Sequence, residues 1–243
     1  MSGGLLAGQA ALVTGASRGI GRGIALALAA EGCDVVVHYR SSREEAEAVC
    51  AEAQALGVRA ATLAADLSNR PAARQLVRDA HALHGRLDIL VNNVGNYVFL
   101  PFEQLSDEQW DDMLDSNLGS VFATCQAALP LMRAQGYGRI VNLGFAGATN
   151  LVARPSIVPY ATAKAGVVVL TRSIAKAEAG NGITANVVAP GVIETSVGQP
   201  VHEIPAGRLG LVEEVSRSVL FFLSPNAGYV TGQITEVSGG WNL

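Results

Sequence analysis

The chain lacks any run of 18 apolar residues, any Pro/Gly/Ser linker, any block of like charge and any low-complexity stretch. Without a long apolar run, no bilayer-spanning helix is expected. The start, Met1-Ser2-Gly3-Gly4, has no basic signal-peptide region, so a soluble cytoplasmic protein is expected. Without a linker, residues 1–243 read as one domain. Basic residues do not outnumber acidic ones, and net charge is −4. No electrostatic case exists for nucleic acid or an anionic membrane as partner. There are three cysteines, Cys33, Cys50 and Cys125, with no C-x-x-C pair. They read as small buried hydrophobes in a reducing compartment. His81 and His84 stand three apart on a predicted helix, but no third ligand is near, so no metal is expected. Lysine is almost missing, with only Lys164 and Lys176.

Apolar residues are abundant, at 49%. They recur in strand-length runs at Ala10–Val13, Val35–Val37, Val58–Ala64, Leu87–Val91, Ile140–Leu143, Thr184–Val188 and Ile234–Val237. Helical spacing fills the gaps at Arg43–Leu56, Pro71–His84, Asp107–Ala134 and Ala161–Ala179. This alternation predicts an α/β fold, with right-handed crossovers, a parallel sheet and helices on both faces. Ligands of such sheets sit at the carboxyl ends of the strands.

The first such end is Thr14-Gly15-Ala16-Ser17-Arg18-Gly19-Ile20-Gly21, between an apolar run and a helical pattern. Gly15 can take angles that a side chain forbids. Gly19 and Gly21 let a ligand and a helix come close to the backbone. The N–H groups and dipole of the helix start favour phosphate. A glycine turn without a ligand is the competing reading. The second end is His38-Tyr39-Arg40-Ser41-Ser42, with no acid before Glu44. An acid here would hold the ribose of NAD, whereas Arg40 and Arg18 suit a 2′-phosphate. NADP(H) is therefore expected. Ser41 could cap the next helix or bind that phosphate. The third end, Ala65-Asp66-Leu67, could hold and cover an adenine, and Asp66 could also cap a helix. The fourth end is Asn92-Asn93-Val94-Gly95, whose amides can tie strands together beside open backbone.

Asn117 falls inside a helical stretch, where Asn competes for backbone hydrogen bonds. A local break or a bound water is expected there. Tyr160-Ala161-Thr162-Ala163-Lys164 puts Tyr160 and Lys164 on one helix face. A neighbouring ammonium favours the phenolate and lowers the tyrosine pKa, making the phenol a general acid for a carbonyl. A surface Tyr/Lys pair is the competing reading.

Taken together, these residues resemble the short-chain dehydrogenase/reductase family, near its 3-oxoacyl-acyl-carrier-protein reductases. The likeness extends through Asn186-Val187-Val188-Ala189-Pro190-Gly191, Ile193-Glu194-Thr195, Gly207-Arg208-Leu209-Gly210 and Gly239-Gly240. It implies a Rossmann-like, seven-stranded, doubly wound sheet and a homotetramer, or a homodimer, with the apolar segment Val230–Leu243 available for contact. It implies Tyr160 as acid, and Lys164 tuning Tyr160 and binding the nicotinamide ribose. Asn117 would hold a relay water. Pro190, Gly191, Ile193 and Thr195 would stand beside the nicotinamide. The substrate would be a small carbonyl compound.

The family carries a serine after the fifth strand, where it hydrogen-bonds the carbonyl. Here Phe145 takes that place, and the segment to Tyr160 is two residues longer. Losing one such donor costs about 100- to 1,000-fold in rate. Thr149 or Ser156 could take over the role. The stretch from Thr195 to Pro205 is short for a lid. Basic residues that could meet an acidic carrier are thin, with Arg133, Arg139 and Arg172 the nearest. Two functions are carried forward: an NADP(H)-dependent carbonyl reductase facing its substrate with Phe145, or an NADP-binding protein that has lost efficient catalysis.

Overall fold

A computed structural model describes residues 4–242. Met1, Ser2 and Gly3 of the signal-peptide reading, and Leu243 of the carboxyl-terminal segment, lie outside the described residues.

Seven strands form one parallel sheet in the order β3-β2-β1-β4-β5-β6-β7. They are β1 (Ala10–Val13), β2 (Asp34–Tyr39), β3 (Ala60–Ala64), β4 (Ile89–Asn92), β5 (Gly138–Leu143), β6 (Ile183–Pro190) and β7 (Ile234–Val237). The helices are α1 (Gly19–Ala30), α2 (Arg43–Ala55), α3 (Arg70–His84), α4 (Asp107–Leu114), α5 (Ser120–Gln135), α6 (Val158–Glu178) and α7 (Val212–Leu223). This is the parallel α/β sheet that the alternating pattern predicts, in the seven-stranded, Rossmann-like form that the resemblance implies. Strand order reverses at β1, which pairs with both β2 and β4. Such a switch point opens a crevice at the strand ends.

The near-continuous apolar strands are divided by the pleat. Ala11, Val13, Val35, Val37, Ile89 and Val91 join the core under α1, α2 and α7. Leu12, Val36 and Leu90 point the other way, into the core under α3, α5 and α6. Alternate residues face opposite sides, so a strand covered on both faces must be apolar throughout. Fully burying one such side chain contributes about 1.5–3 kcal/mol. All three cysteines are free and buried, as expected for small hydrophobes.

Three local expectations are corrected. Ser41 does not cap α2: Ser42 holds the cap position, and its side chain makes no capping bond. Asp66 does not cap α3: Asn69 does, accepting from Ala72 N–H. Asp66 instead folds its own loop, accepting from the Ser68 N–H at 3.0 Å and its hydroxyl at 2.7 Å. The predicted helix Asp107–Ala134 is two helices joined by a π-helical turn, Asp115–Gly119. That turn is the expected break, and it carries Asn117.

Candidate active site

A cavity of about 310 Å³ opens at the carboxyl ends of β1 to β4. It gathers Gly15, Ser17, Arg18, Tyr39, Arg40, Ser41, Asp66, Leu67, Asn93, Val94 and Gly95, all expected at a ligand site. The glycine turn is conformationally required. Gly15 and Gly19 have φ of +61° and +56°, a region costly for other residues. A Cβ on Gly21 would lie 2.3 Å from the Gly15 carbonyl oxygen.

Neighbouring strand ends hold this turn. Asn93 Nδ2 donates to the carbonyls of Thr14 and Gly15, each at 3.0 Å. The Thr14 hydroxyl accepts from the Asn93 and Val94 N–H groups. The expected tie between strands is also present, as Asn92 Nδ2 donates to Asn142 Oδ1 at 2.8 Å. Sequence reasoning missed His38, although it directly precedes Tyr39 and Arg40. Its Nδ1 accepts from Gly15 N–H at 3.0 Å. Its Nε2 is 3.1 Å from the Ala65 carbonyl, which assigns the proton to Nε2. Burial pushes His38 down to about 4, so the ring is neutral at pH 7 and keeps both bonds.

The helix start beyond the turn is bare. Arg18 occupies the cap position of α1 without a side-chain capping bond. The starts of α3 and α4 are closed by Asn69 and Ser106. Free N–H groups and a positive dipole thus face the turn. Arg18 and Arg40 are exposed, and neither has an ion pair or a side-chain hydrogen bond among the described residues. Asp66 is held below the usual carboxylate range by its bonds from Ser68.

Of the residues expected further along, Thr195 comes close to the turn. Its hydroxyl lies 3.9 Å from where a Gly19 Cβ would stand. Ile193 is buried and bridges to Gly210. Gly191 packs on Ser238, where a Cβ would stand 2.8 Å from Ser238 Cα. Ile20 packs against the hydrophobic core. Gly19, Ile20, Gly21, Pro190, Gly191, Ile193 and Thr195 do not line the 310 Å³ cavity.

Tyr160 and Lys164 lie one turn apart on α6. Lys164 is buried and donates from Nζ to the Leu143 carbonyl at 2.8 Å. Its Nζ is 5.6 Å from the Tyr160 ring centroid. Burial lowers Lys164 to about 8. The expected lowering of Tyr160 is corrected: burial, and then Tyr97, push the phenol up. Lys164 does not offset this, because burial disfavours its own charge. Asn117 donates from Nδ2 to the Asn96 carbonyl at 2.9 Å and the Met113 carbonyl at 3.1 Å. Its Oδ1 is buried without a partner. A Cβ on Gly95 would stand 2.2 Å from that oxygen.

Around Tyr160 the walls are aromatic. Its ring meets Tyr97 edge-on at 5.1 Å and Phe145 edge-on at 5.5 Å. Phe145 meets Trp241 edge-on at 5.9 Å. Trp241 Nε1 is 3.4 Å from Glu203 Oε2, which ties the carboxyl-terminal segment to the short stretch after Thr195. Thr149 is exposed, and its hydroxyl donates to Asn150 Oδ1. Neither Thr149 nor Ser156 hydrogen-bonds Tyr160. Tyr97 and Trp241 were not foreseen; each follows a glycine motif by one or two positions, a weak signal.

The family model described as enoyl-(acyl carrier protein) reductase matches residues 15–242. The chain is 39% identical over 241 residues to the 3-oxoacyl-(acyl-carrier-protein) reductase FabG of Staphylococcus aureus strain Mu50, covering 96% of this chain and 97% of that one. It is 37% identical over 242 residues to FabG of Escherichia coli K12, covering 96% and 97%. The solved structure of a blue fluorescent protein from a metagenomic library, in complex with NADPH, superposes with a TM-score of 0.92 at 35% identity, covering 98% and 99%.

Proposed function

The chain belongs to the short-chain dehydrogenase/reductase family, and from that premise we propose an NADP(H)-dependent carbonyl reductase with Tyr160 as proton donor. The observation that carries this reading is the Tyr160–Lys164 pair on one face of α6, in a chain whose glycine turn leads into an uncapped helix start. The relatives named 3-oxoacyl-(acyl-carrier-protein) reductase and the NADPH-bound neighbour support it.

The residues fit a dinucleotide phosphate. The start of α1 has no side-chain cap, and the unpaired Arg18 and Arg40 border the same cavity. Backbone N–H groups near Ser17, Gly19 and Ile20 bind diphosphate, and Arg18 and Arg40 bind the 2′-phosphate, with Ser41 beside them. Asp66 and Leu67 hold the adenine, with Asn93, Val94 and Gly95 along the ribose. Pro190, Gly191, Ile193 and Thr195 flank the nicotinamide end. When bound, reduced NADP supplies hydride to the substrate carbonyl carbon.

Tyr160 Oη gives its proton to the carbonyl oxygen as negative charge builds there. A phenol held above its ordinary pKa is fully protonated at pH 7, the form that reduction needs. Lys164 fixes α6 to the end of β5 through Leu143, and its remaining N–H groups bind the nicotinamide ribose. The unpartnered Asn117 Oδ1 sits in the turn that would position a relay water. Phe145 supplies no donor to the carbonyl and acts as a wall. A carrier protein is a poor fit as partner. Arg133 is spent on Glu178 and Arg139 is buried against backbone carbonyls, which leaves Arg172, exposed and without an ion pair among the described residues, as a lone charge. The proposed substrate is therefore a small carbonyl compound, and the assembly a homotetramer or homodimer.

The competing reading, an NADP-binding protein with impaired chemistry, rests on Phe145. NADPH consumption against a ketone panel separates the two. Tyr160→Phe should cut kcat by about 10²- to 10⁴-fold with NADPH affinity unchanged. NADPH binding without turnover on any ketone would favour the binding protein.

A further inference from the structure

A second cavity, of about 330 Å³, is lined by Phe145, other residues of the β5–α6 loop and one face of α6. Its walls include Phe145, Leu151, Val152, Val158 and Thr162. Arg154 is the one charged side chain lining it. Arg154 has no carboxylate and no hydrogen-bond acceptor among the described residues. Its guanidinium lies 5.7 Å from the Phe145 ring centroid, the same ring that Tyr160 meets. Apolar pockets with one placed polar group suit small ligands, and an unpaired guanidinium suits a carboxylate.

Aromatic residues make up only 5% of the chain. Even so, Tyr97 and Phe145 meet the Tyr160 ring, and Trp241 meets Phe145, all from distant segments. The rim segments are tied together, since Leu100 N–H donates to the Ser156 carbonyl. Tyr97 is 49% exposed, so part of its ring is free to meet a ligand. Rings set edge to face offer a flat partner a contact that a flexible acyl chain cannot repeat.

On these grounds, and resting on the reductase reading above, we propose that the substrate is a planar aromatic carbonyl compound bearing an acidic group. Arg154 binds the acid and the Phe145 cluster packs the ring. Arg154 thus sets specificity rather than taking part in proton transfer.

The test compares three probes on the whole protein: 4-acetylbenzoate, its methyl ester, and the acetoacetyl thioester of N-acetylcysteamine. Binding is measured by calorimetry with NADPH present and absent, and turnover by NADPH consumption. The free acid should bind about tenfold more tightly than its ester and than the thioester. Arg154→Gln should raise Kd and KM for the acid about tenfold, leave kcat alone and leave the ester unchanged. Arg154→Lys should recover part of that loss. Equal binding of acid and ester, equal loss for both in Arg154→Gln, or tighter binding of the thioester would overturn the proposal. Selective binding of the acid without NADPH consumption would keep the specificity site and remove the reductase reading. Turnover of the thioester alone would do the reverse.

Discussion

Around the glycine turn the backbone is held by hydrogen bonds from β2, β4 and their loops, whereas around Tyr160 the contacts are ring against ring. The first region has fixed N–H groups, two unpaired guanidinium groups and a neutral histidine locking the loop. The second has aromatic edges, a buried lysine donating to a carbonyl, and no hydrogen bond to the Tyr160 hydroxyl among the described residues. On the proposed reading the first half meets a dinucleotide, whose phosphates need fixed N–H groups and positive charge. The second half meets a carbonyl substrate, whose shape loop residues can fit on a rigid scaffold.

The largest effect is expected from Gly21→Ala, whose Cβ would meet the Gly15 carbonyl at 2.3 Å. The turn must shift, and NADPH Kd should rise about 100-fold by titration. An unchanged Kd would mean that the turn is not the dinucleotide site. Next is the reverse reaction, alcohol oxidation, which needs the phenolate. Burial and Tyr97 keep Tyr160 protonated, so the oxidation rate should climb about tenfold per pH unit through neutral and mildly alkaline pH. A plateau near pH 7 would show that the phenol is not held up as described. Arg40→Ser should then reduce the preference for NADPH over NADH by about tenfold, the worth of one exposed charge-assisted contact. An unaltered preference would return Arg40 to a purely surface role.

The smallest effect concerns stability. Lys164 has a folded pKa of about 8, below the ordinary lysine value of about 10.4. Between these values the unfolded chain binds more protons than the folded one, so stability rises with pH. The penalty of burying the ammonium is fully present below about pH 8 and fades above it. Lys164→Met should flatten that slope in denaturant titrations. A slope that persists in the variant would place its origin elsewhere.

The glycine turn was legible because positive φ and close approach are demands that one residue type meets. The strands were legible because a sheet covered on both faces needs unbroken apolar runs, and β1 and β7 match their expected limits. Asn117 announced its turn by being a poor interior helix residue. The caps were harder, since Ser41 and Ser42 differ by one position in a polar run and only the backbone decides between them. The state of Tyr160 was not legible at all. A lysine four residues away suggested a lowered pKa, but burial and a tyrosine 63 positions earlier set the opposite direction. Trp241 reaches Phe145 across an even longer separation, and no local pattern records such a contact.

Whether Phe145 is a working wall or the mark of lost chemistry decides the account. The direct measurement is NADPH consumption by the wild-type and Phe145→Ser proteins, side by side, on an aryl ketone and an acetoacetyl thioester. NADPH binding is titrated in the same samples. The wild type is expected to turn over the aryl ketone already, and Phe145→Ser to move preference toward the thioester with NADPH affinity unchanged. Turnover that appears only in Phe145→Ser, with NADPH bound equally by both proteins, would contradict it and identify the natural chain as a cofactor-binding protein.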